Sequence, residues 1–113
     1  MIGVQPYIAL RGQCAEAIEF YKNALGADLV YAQKYSESPM KDMCPPGTDG
    51  IMHCTMKIGD THFMMCDDFH SENFTTGGNI SLAIGLNDTG KARELFDNLA
   101  DGGNVTMPLD KTF

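Results

Sequence analysis

The chain has 113 residues, of which 43% are hydrophobic and 20% are charged, and this composition is typical of one folded domain with a modest core. The formal net charge is −7, and the basic residues are scattered, which argues against nucleic acid as a partner. No apolar run is long enough to cross a bilayer, and the first residues lack a secretory signal pattern. We therefore expect a cytoplasmic protein with no membrane partner.

Four cysteines stand at positions 14, 44, 54 and 66. None of them forms a Cys-x-x-Cys pair, and the composition is that of a domain with its own apolar core. Free thiols in a reducing compartment are therefore expected, rather than two disulfides.

The first 35 residues predict a strand, a helix and a second strand. Residues 4–10 form a short apolar run, in which Pro6 favours an edge or an initial position. Apolar residues then recur at spacings of three and four, which predicts an amphipathic helix over about 13–25. Gly26 follows where a left-handed C-cap is needed. Alternation over residues 28–35 predicts the second strand.

Residues 36–50 show no periodic pattern and contain three prolines and two glycines. A long irregular connection in a small domain is more often functional or mobile than packed. We interpret it as a flap near a groove, with local disorder as the alternative.

Residues 51–67 are the stretch around which the rest is organised. Two alternating runs meet at Gly59-Asp60, which favours a β-hairpin with a type II′ turn. Counting outward from the turn pairs Met56 with Phe63 and Cys54 with Met65 on a mostly apolar face, which we expect to lie on the core.

The opposite face of the hairpin pairs Thr55 with Met64 and His53 with Cys66. This softer, more polar set suits the lining of a groove for a small molecule. His53 could lower the pKa of the Cys66 thiol and create a nucleophile or a soft-metal pair. A hydrogen-bonding or packing pair is the more common role of such neighbours, since two ligands do not make a metal site.

The second half of the chain repeats the order of the first. Residues 80–86 alternate large and small side chains and predict a strand, and Asp88 is a plausible N-cap for a helix that ends at Gly102-Gly103. An offset of 75 residues places Ala17 over Ala92 and, further along, residues 105–109 over the second strand. Such a repeat indicates duplicated modules. The second module has no counterpart of the hairpin, so we expect a truncated chain, an additional tail, or pairing with a neighbouring subunit.

Several short segments occur in a characteristic order, namely Pro6-Tyr7, Cys14-Ala-Glu-Ala-Ile-Glu-Phe-Tyr21, Ala24-Leu-Gly-Ala27, Pro45-Pro-Gly47, Met52-His53, Ile58-Gly-Asp60 and Gly103-x-Val-Thr-Met-Pro108. With these segments the chain resembles the PhnB-like branch of the vicinal oxygen chelate superfamily, which includes glyoxalase I, bleomycin-resistance proteins and extradiol dioxygenases. The resemblance implies an α+β fold of tandem βαβββ modules, the second incomplete. The single domain would span 1–113, with module one over about 1–70 and module two over about 78–113.

The resemblance also bears on cofactors. Metal-dependent relatives place a ligand on the first strand of each module, and here Pro6 and Ser81 occupy those positions. The third ligand position lies beyond Phe113. We therefore expect no metal and no other cofactor. The branch is often labelled a methyltransferase, but the sequence lacks the Gly-rich strand-to-helix turn of a usual S-adenosylmethionine site.

These observations favour a metal-independent small-molecule-binding protein that works as a homodimer. Its predicted ligand-binding residues are His53, Thr55, Met64, Cys66 and Tyr7. The alternative is a metal-dependent enzyme of the glyoxalase or dioxygenase type, with its remaining site residues in a C-terminal tail. A purely structural role is a third possibility. Catalytic residues, ligand identity and the presence of any enzymatic activity are left open.

Overall fold

The structure is a computed structural model that describes residues 2–110. The chain divides into two compact units, Met1–Phe74 and Thr75–Phe113. The extents expected for the two modules, about 1–70 and 78–113, stay predictions. Neither helix in the described residues is long and apolar enough to cross a membrane.

The first unit contains one helix and a four-stranded sheet. Its elements are β1 (Tyr7–Leu10), α1 (Cys14–Leu25), β2 (Asp28–Lys34), β3 (Ile51–Ile58) and β4 (Thr61–Asp67). The sheet order is β1-β4-β3-β2, with β1 parallel to β4 and the other neighbours antiparallel. The predicted α+β class and the βαβββ order of the first module are confirmed.

The helix α1 ends as its sequence predicts. Gly26 has φ +67° and its N–H donates to the carbonyl of Lys22, because a residue without Cβ adopts the left-handed conformation at little cost. The start of α1 is different, since Gln13 makes no side-chain cap hydrogen bond. The carboxylate of Asp67, at the end of β4, caps the helix instead, because it accepts from the N–H of Cys14 at 3.0 Å.

The hairpin has the predicted register. Thr55 lies opposite Met64, and the pairs Met56–Phe63 and Cys54–Met65 also form. Gly59 has φ +55°, whereas no other residue type in the described chain has positive φ, a combination that suits a type II′ turn.

The core of the first unit lies between α1 and one face of the sheet. Cys54, Met56 and Met65 are fully buried there, and Cys14 and Ile18 of α1 pack against them. The four cysteines are free thiols, with the sulfur atoms of Cys14 and Cys54 3.9 Å apart. The helix therefore covers the apolar face of the hairpin, and the polar face points away from it.

The second unit contains the predicted helix, α2 (Thr89–Ala100). The Asp88 carboxylate caps it by accepting from the N–H of Lys91 at 3.0 Å, as its position in the sequence indicated. Within residues 75–110 no side chain of this unit is fully buried, and the apolar stripe of α2 remains partly exposed.

The strands predicted at residues 80–86 and 105–109 are wrong, because neither segment forms a strand. Ile80 is 86% exposed and Leu82 is 54% exposed. A strand requires hydrogen bonds to a second strand. No strand is present within residues 75–110, so neither segment has a strand partner in its own unit. Alternating hydrophobicity predicts which side chains would share one face of a strand, but it does not provide a second strand for pairing.

Candidate functional site

The side of the sheet that faces away from α1 brings the predicted site residues together. Strand pairing aligns Tyr7 with Met64, Thr55 and Tyr31 in one row. A second row contains Ala9 aligned with Cys66, and His53 aligned with Gln33. We call these eight residues the open face. It contains all five residues expected to bind a ligand, since side chains two apart on a strand share a face.

A hydrogen-bonded group lies at the centre of the open face. The hydroxyl oxygen of Tyr7 is 3.1 Å from Nδ1 of His53, and Oγ1 of Thr55 is 3.3 Å from Nε2 of the same ring. In a neutral imidazole, which has one donor and one acceptor nitrogen, one of these hydroxyls donates to the ring and the other accepts from it. Both nitrogens of His53 are therefore held by neighbours, which sets the orientation of the ring.

Cys66 contributes a neutral thiol to this group. Burial raises the pKa of Cys66, although the hydrogen bond with Tyr7 lowers that pKa in part. Burial, followed by the neighbouring Cys66, raises the pKa of Tyr7 to about 12. At pH 7 the thiol and the phenol therefore both keep their protons. The reactive-thiolate interpretation of Cys66 receives no support from this environment, because the thiolate is the nucleophilic form.

Aromatic rings stand on both sides of His53. The ring centroid of Tyr7 is 5.6 Å from that of His53, in an edge-on arrangement, and the centroid of Tyr31 is 6.3 Å from it. Tyr31 was not among the residues predicted to bind a ligand. The one sequence signal for Tyr31 was its position in an alternating segment. Such a pattern predicts a strand but does not show which strand lies beside it.

The irregular segment after β2 is tied at its base. The N–H of Tyr35 donates to the carbonyl of Gly50, and the hydroxyl of Ser36 donates to the carboxylate of Asp49 at 2.6 Å. Two short 3-10 turns, Tyr35–Glu37 and Lys41–Met43, lie within it. Gln33 on the open face donates to the carbonyl of Glu37 at 3.4 Å, so this segment begins at the rim of the open face.

Asp67 follows Cys66 on β4, and its side chain lies on the other side of the sheet from the open face. Its side chain is 1% exposed, and it accepts from the N–H groups of Gly12, Cys14 and Ile51 at 2.7, 3.0 and 3.0 Å. One carboxylate therefore joins the turn before α1, the start of α1 and the start of β3. Because β3 carries His53 and Thr55, this buried group helps to set the position of the site.

The open face does not suit a metal ion of the kind that metal-dependent relatives bind. No group of three or more His, Cys, Asp or Glu side chains within residues 2–110 could hold one. Both nitrogens of His53 are engaged by hydroxyls, and Thr55 and Gln33 offer only neutral oxygens, which are weak ligands for first-row metals. Pro6 precedes the open face and offers no side-chain ligand. Its carbonyl accepts from the N–H of Met64.

A βαβββ sheet with a helix on one side and a polar, aromatic face on the other defines a glyoxalase-like module. The family model described as Glyoxalase/Bleomycin resistance protein/Dioxygenase superfamily matches residues 3–113. The chain belongs to this superfamily, and the resemblance to the superfamily inferred from its motifs is confirmed.

Individual relatives agree with this assignment. Protein YjdN of Escherichia coli (strain K12) is 29% identical over 97% of this chain and 80% of that protein. Protein PA1353 from Pseudomonas aeruginosa has a similar structure, with 28% identity, a TM-score of 0.87, and coverage of 99% of this chain and 82% of that one. A putative 3-demethylubiquinone-9 3-methyltransferase, PhnB protein, from Bacillus cereus has a similar structure, with 24% identity and a TM-score of 0.75. The match covers 95% of this chain and 80% of the Bacillus cereus chain. This last likeness is one of fold alone.

Proposed function

We propose that the chain binds a small organic molecule on the open face and does so without a metal ion. The observation that supports this proposal is the group formed by Tyr7, His53 and Thr55, whose hydrogen bonds orient the imidazole on a face that α1 leaves uncovered. A few fixed polar groups among apolar and aromatic side chains are typical of small-molecule sites.

The donor chemistry of the same residues supports binding without a metal ion. Burial raises the pKa of the Cys66 thiol, so the deprotonation that accompanies metal binding is less favourable here than for an ordinary thiol. A metal ion at His53 would also have to displace the hydroxyl of Tyr7 or of Thr55. Binding through hydrogen bonds and ring contacts requires neither change.

A fragment titration monitored by NMR tests this function. The methyl groups of methionine are labelled with ¹³C, and the Met64 signal is assigned from a Met64→Leu variant. We expect a ligand to shift the Met64 signal more than that of Met56, which lies on the opposite face of the hairpin. Thr55→Val should weaken binding, whereas the matched control Thr61→Val, next to the turn, should not.

Metal analysis of the same protein provides the opposing outcome. A stoichiometric transition metal in the purified protein, together with a Met64 response that chelator abolishes, would contradict metal-independent binding and favour the glyoxalase- or dioxygenase-type alternative. Binding that is unchanged by chelator supports the proposal.

We also propose that the protein functions as a homodimer. In its support, Ile80 and Leu82 are largely exposed and the segment that contains them has alternating hydrophobicity without a strand partner. Such a segment gains hydrogen bonds when it pairs with another chain. Light scattering after size-exclusion chromatography should give twice the mass of one chain, and Leu82→Lys should shift the mass towards one chain. A monomer at high protein concentration would contradict dimerisation.

A further inference from the structure

The open face contains no permanently charged side chain. None of its eight residues is Asp, Glu, Lys or Arg, and Tyr7 and Cys66 keep their protons at pH 7. Lys57, two residues beyond Thr55, is the charged residue that follows on the same side of β3 and is exposed next to the turn. A charged ligand at the centre would lose hydration without meeting a permanently charged side chain among these eight residues.

Tyr7 reaches His53 from across an intervening strand. The sheet order places β4 between β1 and β3, so the two backbones are roughly 10 Å apart at the usual strand spacing. The ring centroids are nevertheless only 5.6 Å apart. The side chain of Tyr7 therefore leans across β4 towards the middle of the sheet.

Tyr31 approaches the same imidazole from the opposite side. It lies on β2, the neighbour of β3 away from β4, and its hydroxyl donates to the side chain of Gln33 at 3.2 Å. Tyr7 is 54% exposed and Tyr31 is 51% exposed. Two half-exposed aromatic rings therefore flank His53, and a flat ring gains both apolar burial and ring–ring contact from them.

We propose that the ligand of the open face is an uncharged, planar aromatic molecule, held between Tyr7 and Tyr31 next to His53. This inference rests on the proposed binding function and specifies the ligand class. Met64 and Thr55, which lie between the two tyrosines in the same row, form the floor of this site. The thioether makes a soft contact with a ring edge, and the Thr55 hydroxyl bonds a polar substituent.

Three small probes separate the properties that the site should recognise. Phenol is planar and uncharged, cyclohexanol has the same hydroxyl on a ring that is not planar, and benzoate is planar but charged. Each is titrated into the full chain with labelled methionine methyl groups. Phenol should bind about fivefold more tightly than cyclohexanol, the difference that one aromatic pair provides, and benzoate should bind more weakly than phenol.

Substitutions at Tyr31 assign the preference to its ring. Tyr31→Leu should reduce the preference for phenol over cyclohexanol, with the ring of Tyr7 still in place, whereas the matched control Tyr31→Phe should keep the full preference. The amide spectrum of each variant checks that the sheet is intact, which is expected because Tyr31 is half exposed.

The outcomes distinguish this inference from the function on which it rests. Equal binding of phenol and cyclohexanol, benzoate binding as tight as that of phenol, or an unchanged preference in Tyr31→Leu would overturn the aromatic ligand class. If a non-aromatic fragment shifts Met64 and none of the probes does, the ligand class is wrong but the binding function stands. If no compound shifts Met64, both are wrong.

Discussion

The hydroxyl of Tyr7 lies 3.1 Å from Nδ1 of His53, although the two residues are 46 positions apart in the sequence and on strands that are not neighbours. The contact exists because β1 joins the sheet next to β4 and the Tyr7 side chain crosses that strand. It links the first strand of the module to the centre of the hairpin.

The contact predicts a response of the imidazole to Tyr7→Phe. This change keeps the ring and removes the hydroxyl, so the ¹⁵N signal of Nδ1 in His53 should move more than that of Nε2. The free energy of unfolding should fall by no more than about 1 kcal/mol, the usual net value of one hydrogen bond. Long-range ¹H–¹⁵N spectra and urea unfolding measure the two effects. Equal movement of both nitrogen signals would show that the hydroxyl does not bond Nδ1 in solution.

The raised pKa of Cys66 predicts slow alkylation. Burial raises the pKa of this thiol above its usual value of 9.0, so its reaction with iodoacetamide should have a pH midpoint above 9.0 and be slow at pH 7. Tyr7→Phe should slow it further, since the hydrogen bond from Tyr7 lowers the pKa of Cys66. Peptide mass spectrometry follows the labelling at this site, and Cys66→Ser identifies the signal. Rapid labelling at pH 7 would revive the nucleophilic interpretation.

Asp67 should be among the most sensitive positions for stability. Asp67→Asn keeps the shape but exchanges one acceptor oxygen for an NH₂ group that faces backbone N–H donors. Because the carboxylate is buried and accepts three such hydrogen bonds, the free energy of unfolding should fall by about 3 kcal/mol or more. Asp60→Asn, in the exposed hairpin turn, is the matched control. Equal denaturation midpoints for the two variants would contradict this role.

Asp68 should titrate well below an ordinary aspartate. Hydrogen bonds from the hydroxyl and N–H of Ser71, followed by that from the N–H of His70, lower the pKa of Asp68 from 3.8 to about 2. Since the folded pKa lies below the unfolded one, the stabilisation is complete above about 3.8 and is lost as pH falls through about 2. The Ser71 amide signal should report this midpoint. Ser71→Ala should raise it, and a midpoint near 3.8 in the unaltered protein would show that the turn does not form.

Local patterns in the sequence determined the elements of the first unit. Spacings of three and four residues predicted α1 and its end at Gly26, and the alternating runs that meet at Gly59 predicted the hairpin and its register. Alternation also assigned His53, Thr55, Met64 and Cys66 to one face. These properties depend on neighbours within one element or across one short turn, so the sequence carries them directly.

Only the tertiary structure decided how separate elements meet. Strand order placed Tyr7 and Tyr31 on opposite sides of His53, and it brought Asp67 to the start of α1 in place of a local cap. The segment at residues 80–86 shows the reverse case, because its alternation predicted a strand that the second unit does not form. Backbone hydrogen bonds between distant segments depend on a partner, and no periodicity within a segment specifies which partner is present.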